Sequence, residues 1–247
     1  MLGTAVPRRL HRLVDMVAAL APGEDAEGLI ASGQIEVAGF PVTDPGARVR
    51  AGTAVRRRPP AHLRGEAKLR PALAAFGVRA AGRVALDVGA AAGGFTRVLL
   101  DAGALRVYAV DAGHGQLRGS LRQDPRVVNL ENTNVAALDR RVVPEPVELV
   151  TVDVSYLSLS RAVAQLDRVE VAPGAELVGL VKPMFELRLP SAPLDGPTLE
   201  SALRAACRGV AAAGWSVEGS MVSPVAGARG ARELLLHARR GPRSGGR

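Results

Sequence analysis

The stretch that most constrains the fold is VALDVGAAAGGFT, residues 84–96, which reads as a short apolar strand, a turn of glycine and alanine, and the opening of a helix. Residues this small let the backbone approach a ligand closely, and the amides at a helix start face whatever lies across the turn. The chain beyond it repeats the strand and helix alternation. Strand patterns at 83–88, 106–110, 126–130, 147–154 and 175–181 are interleaved with helical patterns at 94–102, 116–122, 158–166 and 198–213. Such alternation predicts a mostly parallel sheet with right-handed crossovers. Two final strands, 216–222 and 232–238, follow each other directly and imply one antiparallel insertion. A helix at 69–76, with Lys68 near its start and Gly77 at its end, precedes the first strand.

In an open parallel sheet the ligand lies outside the carboxyl ends of the strands, and the turn from Asp87 to Thr96 sits at such an end. Asp111 ends the next strand in YAVDAG, about twenty residues further on, where a carboxylate can accept hydrogen bonds from both hydroxyls of a ribose. Loop and acid together specify a nucleoside-bearing cofactor. They leave a dinucleotide and S-adenosylmethionine equally open.

Composition narrows the setting. A chain of 247 residues can bury a sizeable core, and with 47% apolar but only 3% aromatic residues that core is built from Ala, Val and Leu. No apolar run reaches the ~18 residues of a membrane span, so no membrane partner is expected and the cytoplasm is the expected compartment. Cys207 stands alone and cannot form an internal disulfide, which fits a reducing compartment. His11, His62, His114 and His237 have no metal-ligand spacing, so no metal site is expected. The net charge of +8 suggests an anionic partner, yet residues 1–60 carry eight Arg against six acids, whereas residues 228–247 carry six Arg against Glu233 alone. The end of the chain, residues 241–247, reads as a basic flexible tail. Of 32 basic residues only Lys68 and Lys182 are lysines. A chain that uses Arg almost everywhere else points to these two amines, because only Lys can lose its proton or act as a compact point charge.

The N-terminal part reads as two helices at 10–20 and 24–32, a strand at 35–37, a turn at Ala38-Gly39 and a stretch at 47–58 that alternates apolar and basic residues. This order resembles the small S4-like RNA-binding module, here residues 8–58, with Pro59-Pro60 as linker. That family usually carries basic residues on its second helix, whereas Glu24, Asp25 and Glu27 stand there in this chain and would repel a phosphate backbone. A module that still binds RNA and one that has become a capping subdomain are both open.

The motifs DVGAAAGGFT, AVDAGHGQL, LRQDPRVV, NTN, VTVDVSYLSL, LVKPMFE and ELLLHAR occur in the order and spacing of the TlyA family, the haemolysin-like ribosomal RNA methyltransferases whose catalytic domain is similar to the FtsJ type. The resemblance implies a Rossmann-like, class I S-adenosylmethionine-dependent methyltransferase domain over residues 62–240. It puts Gly89, Ala90 and Gly93 near the methionine part of the cofactor, with Asp87, Gly94 and Phe95 in the same binding loop, Asp111 on the ribose and Asn134 on the adenine side. It also implies a lysine, aspartate, lysine, glutamate tetrad, which Lys68, Asp153, Lys182 and Glu233 supply.

The chemistry of such a tetrad is coherent. Methyl transfer from a sulfonium to a hydroxyl is an in-line displacement, so the hydroxyl must be held about 3 Å from the methyl and lose its proton as it attacks. A free lysine, with a pKa of about 10.4, is a poor base at neutral pH. A second ammonium and partial desolvation lower that value, and carboxylates that orient the amines offset part of the change. Lys182 is therefore the candidate base or hydroxyl-steering group, with Lys68 as its electrostatic partner. His114 reads as a packing or stacking side chain, Ser155 and Ser158 as turn and helix-cap residues, and Trp215 as buried at a strand start.

Three segments depart from the family pattern: the acidic second helix, RGEA before Lys68, and LRLPSAPLDGP after Phe185-Glu186. All bear on the acceptor and none on the proposed chemistry. Ribose 2′-O-methylation of ribosomal RNA, free or in ribosomal subunits, is the leading expectation. Methylation of a small hydroxylated molecule and a non-catalytic RNA-binding role remain the alternatives.

Overall fold

The computed structural model describes residues 10–31, 33–57, 63–191, 193, 195–227 and 230–241. The Pro59-Pro60 linker, the start of the 8–58 module and the basic tail past Gly241 lie outside the described residues, as do Ser32, Ala192 and Leu194. The chain divides into two compact units, residues 1–62 with 118–120, and residues 63–117 with 121–247.

The first unit contains β1 (Leu10–Arg12), α1 (Leu13–Leu20), α2 (Ala26–Ala31), β2 (Ile35–Val37), β3 (Phe40–Val42), β4 (Arg48–Arg50) and β5 (Val55–Arg57). The helix expected at 10–20 begins only at Leu13, because residues 10–12 pair antiparallel with β4. The alternating stretch at 47–58 is two strands, and β3, which the apolar pattern did not mark, joins β2 and β5 in a three-stranded sheet. Leu13, Val17, Leu29, Ile30, Ile35 and Val49 are buried together as the small core of this unit.

The second unit opens with α3 (Arg64–Phe76) and continues through β6 (Val84–Val88), α4 (Gly94–Asp101), β7 (Arg106–Val110), the second half of α5 (Gly119–Arg122), β8 (Val127–Leu130), β9 (Val147–Val152), α6 (Leu159–Ala164), β10 (Val171–Val181), α7 (Pro183–Glu186), α8 (Gly196–Ala212), β11 (Trp215–Val222) and β12 (Leu234–Arg240). Its seven strands are ordered β11-β12-β10-β9-β6-β7-β8. From β10 to β8 every pairing is parallel, while β12 runs antiparallel to both neighbours. The single antiparallel insertion is thus β12, wedged between β10 and β11. A strand reached from its neighbour by a short loop has to run back the other way.

Helices cover both faces, as a sheet of Val, Leu and Ala requires when buried on both sides. On one face Leu86, Val150, Leu177 and Leu236 pack with Leu159 and Ala162 of α6 and with Leu199, Ala202 and Ala206 of α8. On the other, Ala85, Val107, Leu149, Val178 and Leu235 pack with Leu69 and Leu73 of α3 and with Phe95, Val98 and Leu99 of α4. Alternate residues of each strand therefore point to opposite layers, the period of two expected of a strand. Trp215 is buried at the start of β11, and Cys207 packs half-buried against the core, where burial pushes its thiol up.

Some segments are shorter than their patterns imply. The helix read at 116–122 is confined to Gly119–Arg122, and the Glu131 carboxylate receives the amides of Gln116 and Leu117 at 2.5 and 2.9 Å, which holds the preceding residues as a turn. β10 is longer than read and carries an irregularity between Val171 and Glu176, where Pro173-Gly174 interrupts the pairing with β9.

Candidate active site

The parallel strands β6, β7, β9 and β10 end on one edge of the sheet, and the residues immediately after them build the site. After β6 the chain turns through residues 89–93 into α4. Gly89 has φ +89°, a region open to glycine at little cost, and a Cβ there would lie 2.4 Å from the carbonyl oxygen of Asp153. The turn is laced to its neighbours through the backbone. Gly89 and Ala90 donate to the carbonyl of Val110 at 2.8 and 3.0 Å, and Asp153 donates to that of Val88 at 2.9 Å.

Asp111, one residue past β7, accepts from the amide of Ala91 at 2.8 Å and from that of Gly113 at 2.7 Å. It thus meets the glycine turn from the side of the next strand. Asp87 is placed differently. It is fully buried beneath the turn, accepting from Thr96 Oγ1 at 2.6 Å and Thr151 Oγ1 at 2.9 Å. Burial pushes its carboxyl up to about 6 against the lowering effect of those two hydroxyls. Asp87 therefore braces α4 and β9 to β6 and has no surface to offer a ligand, which corrects its sequence-based placement among the binding residues.

The two lysines meet two carboxylates at the same edge. Lys68 Nζ, from the second turn of α3, lies 2.8 Å from Glu233 Oε2 and 3.4 Å from Asp153 Oδ2. Lys182 Nζ lies 2.6 Å from Asp153 Oδ1 and donates to the carbonyl of Val154 at 2.8 Å. Asp153 is thus shared by both ammonium groups. Its contact with Lys182 is close in distance yet off the line of a hydrogen bond, so charge more than direction holds that pair. Lys68 and Glu233 are both more than nine-tenths buried, and such a pair is tolerable only because each charge has its partner.

Each of the four is placed by local structure. α3 is fixed at its first turn, where Glu66 accepts from the amide of Leu63 at 3.1 Å and Gly65 passes against α4 so closely that a Cβ on Gly94 would lie 2.8 Å from the Gly65 Cα. Asp153 and Lys182 directly follow β9 and β10, Lys182 standing just before Pro183 opens α7. Glu233 directly precedes β12, and Gly227 leaves room for its carboxylate, since a Cβ there would sit 2.2 Å from Glu233 Oε1. Arg64 Nη2 holds the same loop by donating to the carbonyls of Ala226 and Gly227 at 2.7 and 2.9 Å.

A cavity of about 1000 Å³ opens between these groups. Of the residues singled out in the sequence, Lys68, Gly89, Ala90, Gly94, Phe95, Asp153, Lys182 and Glu233 line it. Gly93 turns away, and a Cβ on it would run into Leu121 and Leu117. Asn134 is also not on the wall. Its side chain accepts from the amide of Ala136 at 3.1 Å and caps a short 3-10 helix, Val135–Ala137. The wall further includes Ser155, which the sequence marks only as a turn residue, Met184 and Phe185, which it marks only within a motif, and Arg64, Pro190 and Arg232, to which it assigns no role. Pro190 and Ser191 show that the divergent loop after Glu186 supplies part of that wall. Tyr156 is half-exposed near Asp111 and Val135, and burial pushes its hydroxyl up. His114 contacts Asn132 at 3.1 Å on the surface beyond Asp111, and Ser158 caps α6 as its pattern implies.

The chain is similar to known proteins along most of its length. Residues 62–240 match the FtsJ-like methyltransferase family. A Mycobacterium tuberculosis protein named 16S/23S rRNA (cytidine-2′-O)-methyltransferase TlyA is 38% identical over 225 residues, covering 87% of this chain and 84% of that protein. Hemolysin A of Brachyspira hyodysenteriae is 34% identical over 69% of this chain and 73% of its own length. Among solved structures, a Streptococcus thermophilus protein bearing the hemolysin name superposes with a TM-score of 0.70 at 29% identity, covering 94% of this chain and 89% of that one.

Proposed function

This chain belongs to the TlyA family of methyltransferases with an FtsJ-like domain, and from that premise we propose that it moves the methyl group of S-adenosylmethionine to a ribose 2′-hydroxyl of ribosomal RNA. The observation that supports this reading best is the convergence of Lys68, Asp153, Lys182 and Glu233, from four separate elements, on the cavity whose other wall is the glycine turn.

The turn suits such a cofactor. Its wall is Gly89, Ala90, Ala91, Ala92 and Gly94, so backbone rather than side chain meets the ligand, and Asp111 stands at its margin with a carboxylate able to accept from ribose hydroxyls. When bound there, S-adenosylmethionine supplies an electrophilic methyl on a positively charged sulfur. The protein's part is to hold the acceptor in line and manage one proton. Lys182 is the group that steers the hydroxyl and, once its ammonium has given up a proton to solvent, takes up the hydroxyl's proton as a neutral amine. Asp153 keeps both amines on the cavity wall, and the Lys68 and Glu233 pair fixes Asp153 from behind. Positioning of this kind lowers the barrier chiefly by aligning the reactants beforehand.

The unit at residues 8–58 is read as an S4-like module that helps to hold the RNA. Its positive charge lies on strands rather than on α2: Arg48 and Arg50 flank the buried Val49 on β4, and Arg56 is exposed on β5. Arg57 is paired with Glu24 at 2.6 Å.

The reading is tested by incubating the protein with methyl-tritiated S-adenosylmethionine and ribosomal subunits, or ribosomal RNA alone, then digesting to nucleosides. Label on a 2′-O-methyl ribonucleoside, lost with Asp111→Ala through weaker cofactor binding, is the expected result. Label only in a small molecule of a cell extract, or none in RNA, overturns it.

A further inference from the structure

Lys182 is held from two sides, and only one of them is the tetrad. Its ammonium reaches Asp153 and the carbonyl of Val154, while its own carbonyl accepts from the amides of Phe185 and Glu186 at 2.9 and 3.1 Å where α7 begins. That helix is a single turn, Pro183–Glu186, far too short to hold by itself, and Arg188 at φ +54° stops it from running on. Contacts with other elements therefore have to steady it. Pro183 is buried and Leu187 packs on the core, but apolar contact is non-directional and does not set how the turn is rotated. Glu186 supplies the directional contact. Its Oε2 accepts from Ser160 Oγ at 2.7 Å and its Oε1 from the Ser160 amide at 3.3 Å, so both oxygens of one carboxylate clasp the second residue of α6. Ser160 is a firm point of attachment. A Cβ on Gly179 of β10 would lie 2.4 Å from Leu159 Cδ1, and one on Gly209 of α8 would lie 2.2 Å from Ser160 Cβ, so the start of α6 is wedged between sheet and helix.

We infer that Glu186 is a positioning residue for methyl transfer: by clasping Ser160 it sets the rotation of α7 and so aims Lys182 at the acceptor hydroxyl, an inference that rests on the reading of Lys182 as the group that handles the hydroxyl's proton. Glu186 itself is off the cavity wall, whereas Lys182, Met184 and Phe185 of the same turn are on it. The segments that follow β9 and β10 are thus joined twice, by Lys182 on Asp153 at the cavity and by Glu186 on Ser160 one turn behind. A carboxylate drawn partly out of water with neutral donors as its partners is unfavourable as mere packing, and burial pushes its carboxyl up against the pull of the Ser160 bonds. Its two acceptor oxygens are what the geometry uses.

Because Lys68 and Lys182 are the only lysines in the chain, the position of one amine can be read against the other. Brief acylation with acetic anhydride, mapped by mass spectrometry after digestion, gives the labelling of Lys182 with Lys68 as internal reference. Glu186→Ala raises labelling of Lys182 several-fold and leaves Lys68 as it was. Glu186→Gln, whose amide still offers an oxygen to the Ser160 amide and an N–H to its Oγ, restores the slow labelling. In methyl transfer to ribosomal RNA, Glu186→Ala lowers kcat toward the ~100-fold loss that a misplacement of about 1 Å causes, with the KM for S-adenosylmethionine unchanged, and Glu186→Gln recovers most of that loss. Labelling of Lys182 in Glu186→Ala that matches the unmodified protein overturns the positioning role. So does an equal rise at both lysines, which marks a general loosening. Absence of label in RNA with the unmodified protein overturns the function reading instead, and the acylation ratio still decides the clasp.

Discussion

Gly89 and Asp153 approach so closely that a Cβ on the glycine would lie 2.4 Å from the backbone carbonyl oxygen of the aspartate. The cofactor turn and the central carboxylate of the tetrad are therefore built against each other through the main chain. Gly89→Ala adds both this clash and a side chain at φ +89°, and a non-glycine residue in that region costs more than about 1 kcal/mol. Both S-adenosylmethionine affinity, by calorimetry, and methyl transfer should fall together. Retention of both at unmodified levels would reject the coupling.

The Lys182 ammonium sits between Asp153 and the carbonyl of Val154. Lys182→Ala should lower kcat by at least ~100-fold, the usual effect of losing a positioned proton-transfer group, with little change in cofactor affinity. Lys182→Arg should remain inactive, because a guanidinium keeps its proton and is too large for a site fitted to an amine. Single-turnover kinetics with saturating cofactor measure both, and an active Arg variant would remove Lys182 from the proton's path.

Gly227→Ala tests the seat of Glu233. The added Cβ would lie 2.2 Å from Glu233 Oε1, so the carboxylate has to swing and its 2.8 Å contact with Lys68 opens. A misplacement of about 1 Å at a catalytic group can cost ~100-fold in rate. The expected outcome is a large fall in kcat with unchanged cofactor affinity. Turnover equal to that of the unmodified protein would show that Glu233 does not position Lys68.

Asp87 makes stability depend on pH in an unusual direction. Its carboxyl is pushed up to about 6 from 3.8, chiefly by burial, so between these values the folded protein holds a proton that the unfolded chain has lost. The stability contributed by this group is full below pH 3.8 and is lost as pH rises through about 6. The loss amounts to about 3 kcal/mol for a shift of roughly two pH units. Thermal unfolding of the unmodified protein and of Asp87→Asn at pH 4.5 and 7.5 should show the variant gaining relative stability at the higher pH. A difference that stays constant across this range would contradict the protonation of Asp87.

The βα alternation was legible because strand and helix periods are local. Every strand of the large sheet appears within a few residues of its pattern, and the two final strands imply one antiparallel insertion, which the pairing assigns to β12. What misled was local signal without its partner. Leu10 fits the helical spacing of α1, yet β4 takes its backbone. Gln116 and Leu117 continue an apolar helix pattern, yet the Glu131 carboxylate takes their amides. Asp87 and Asn134 are polar residues at the edge of a motif, and only the packing reveals that one is a buried brace and the other a cap. Ser155 reads only as a turn residue, Arg64 only as part of RGEA, and Arg232 has no reading of its own, because membership of a cavity wall is not a property of a short stretch of chain.

The sequence by itself determined which chemistry the chain can do: residue type and spacing placed a glycine turn, an acid twenty residues on and the only two lysines at strand ends and helix starts. The tertiary structure alone decided what those groups do to each other. Lys68 and Glu233 are 165 positions apart in the chain, and their contact exists only because β12 returns antiparallel into the sheet while α3 is pressed onto α4 at Gly65. Charges interact through space and through the dielectric around them, and neither the distance nor the burial of a pair can be read from its separation along the chain.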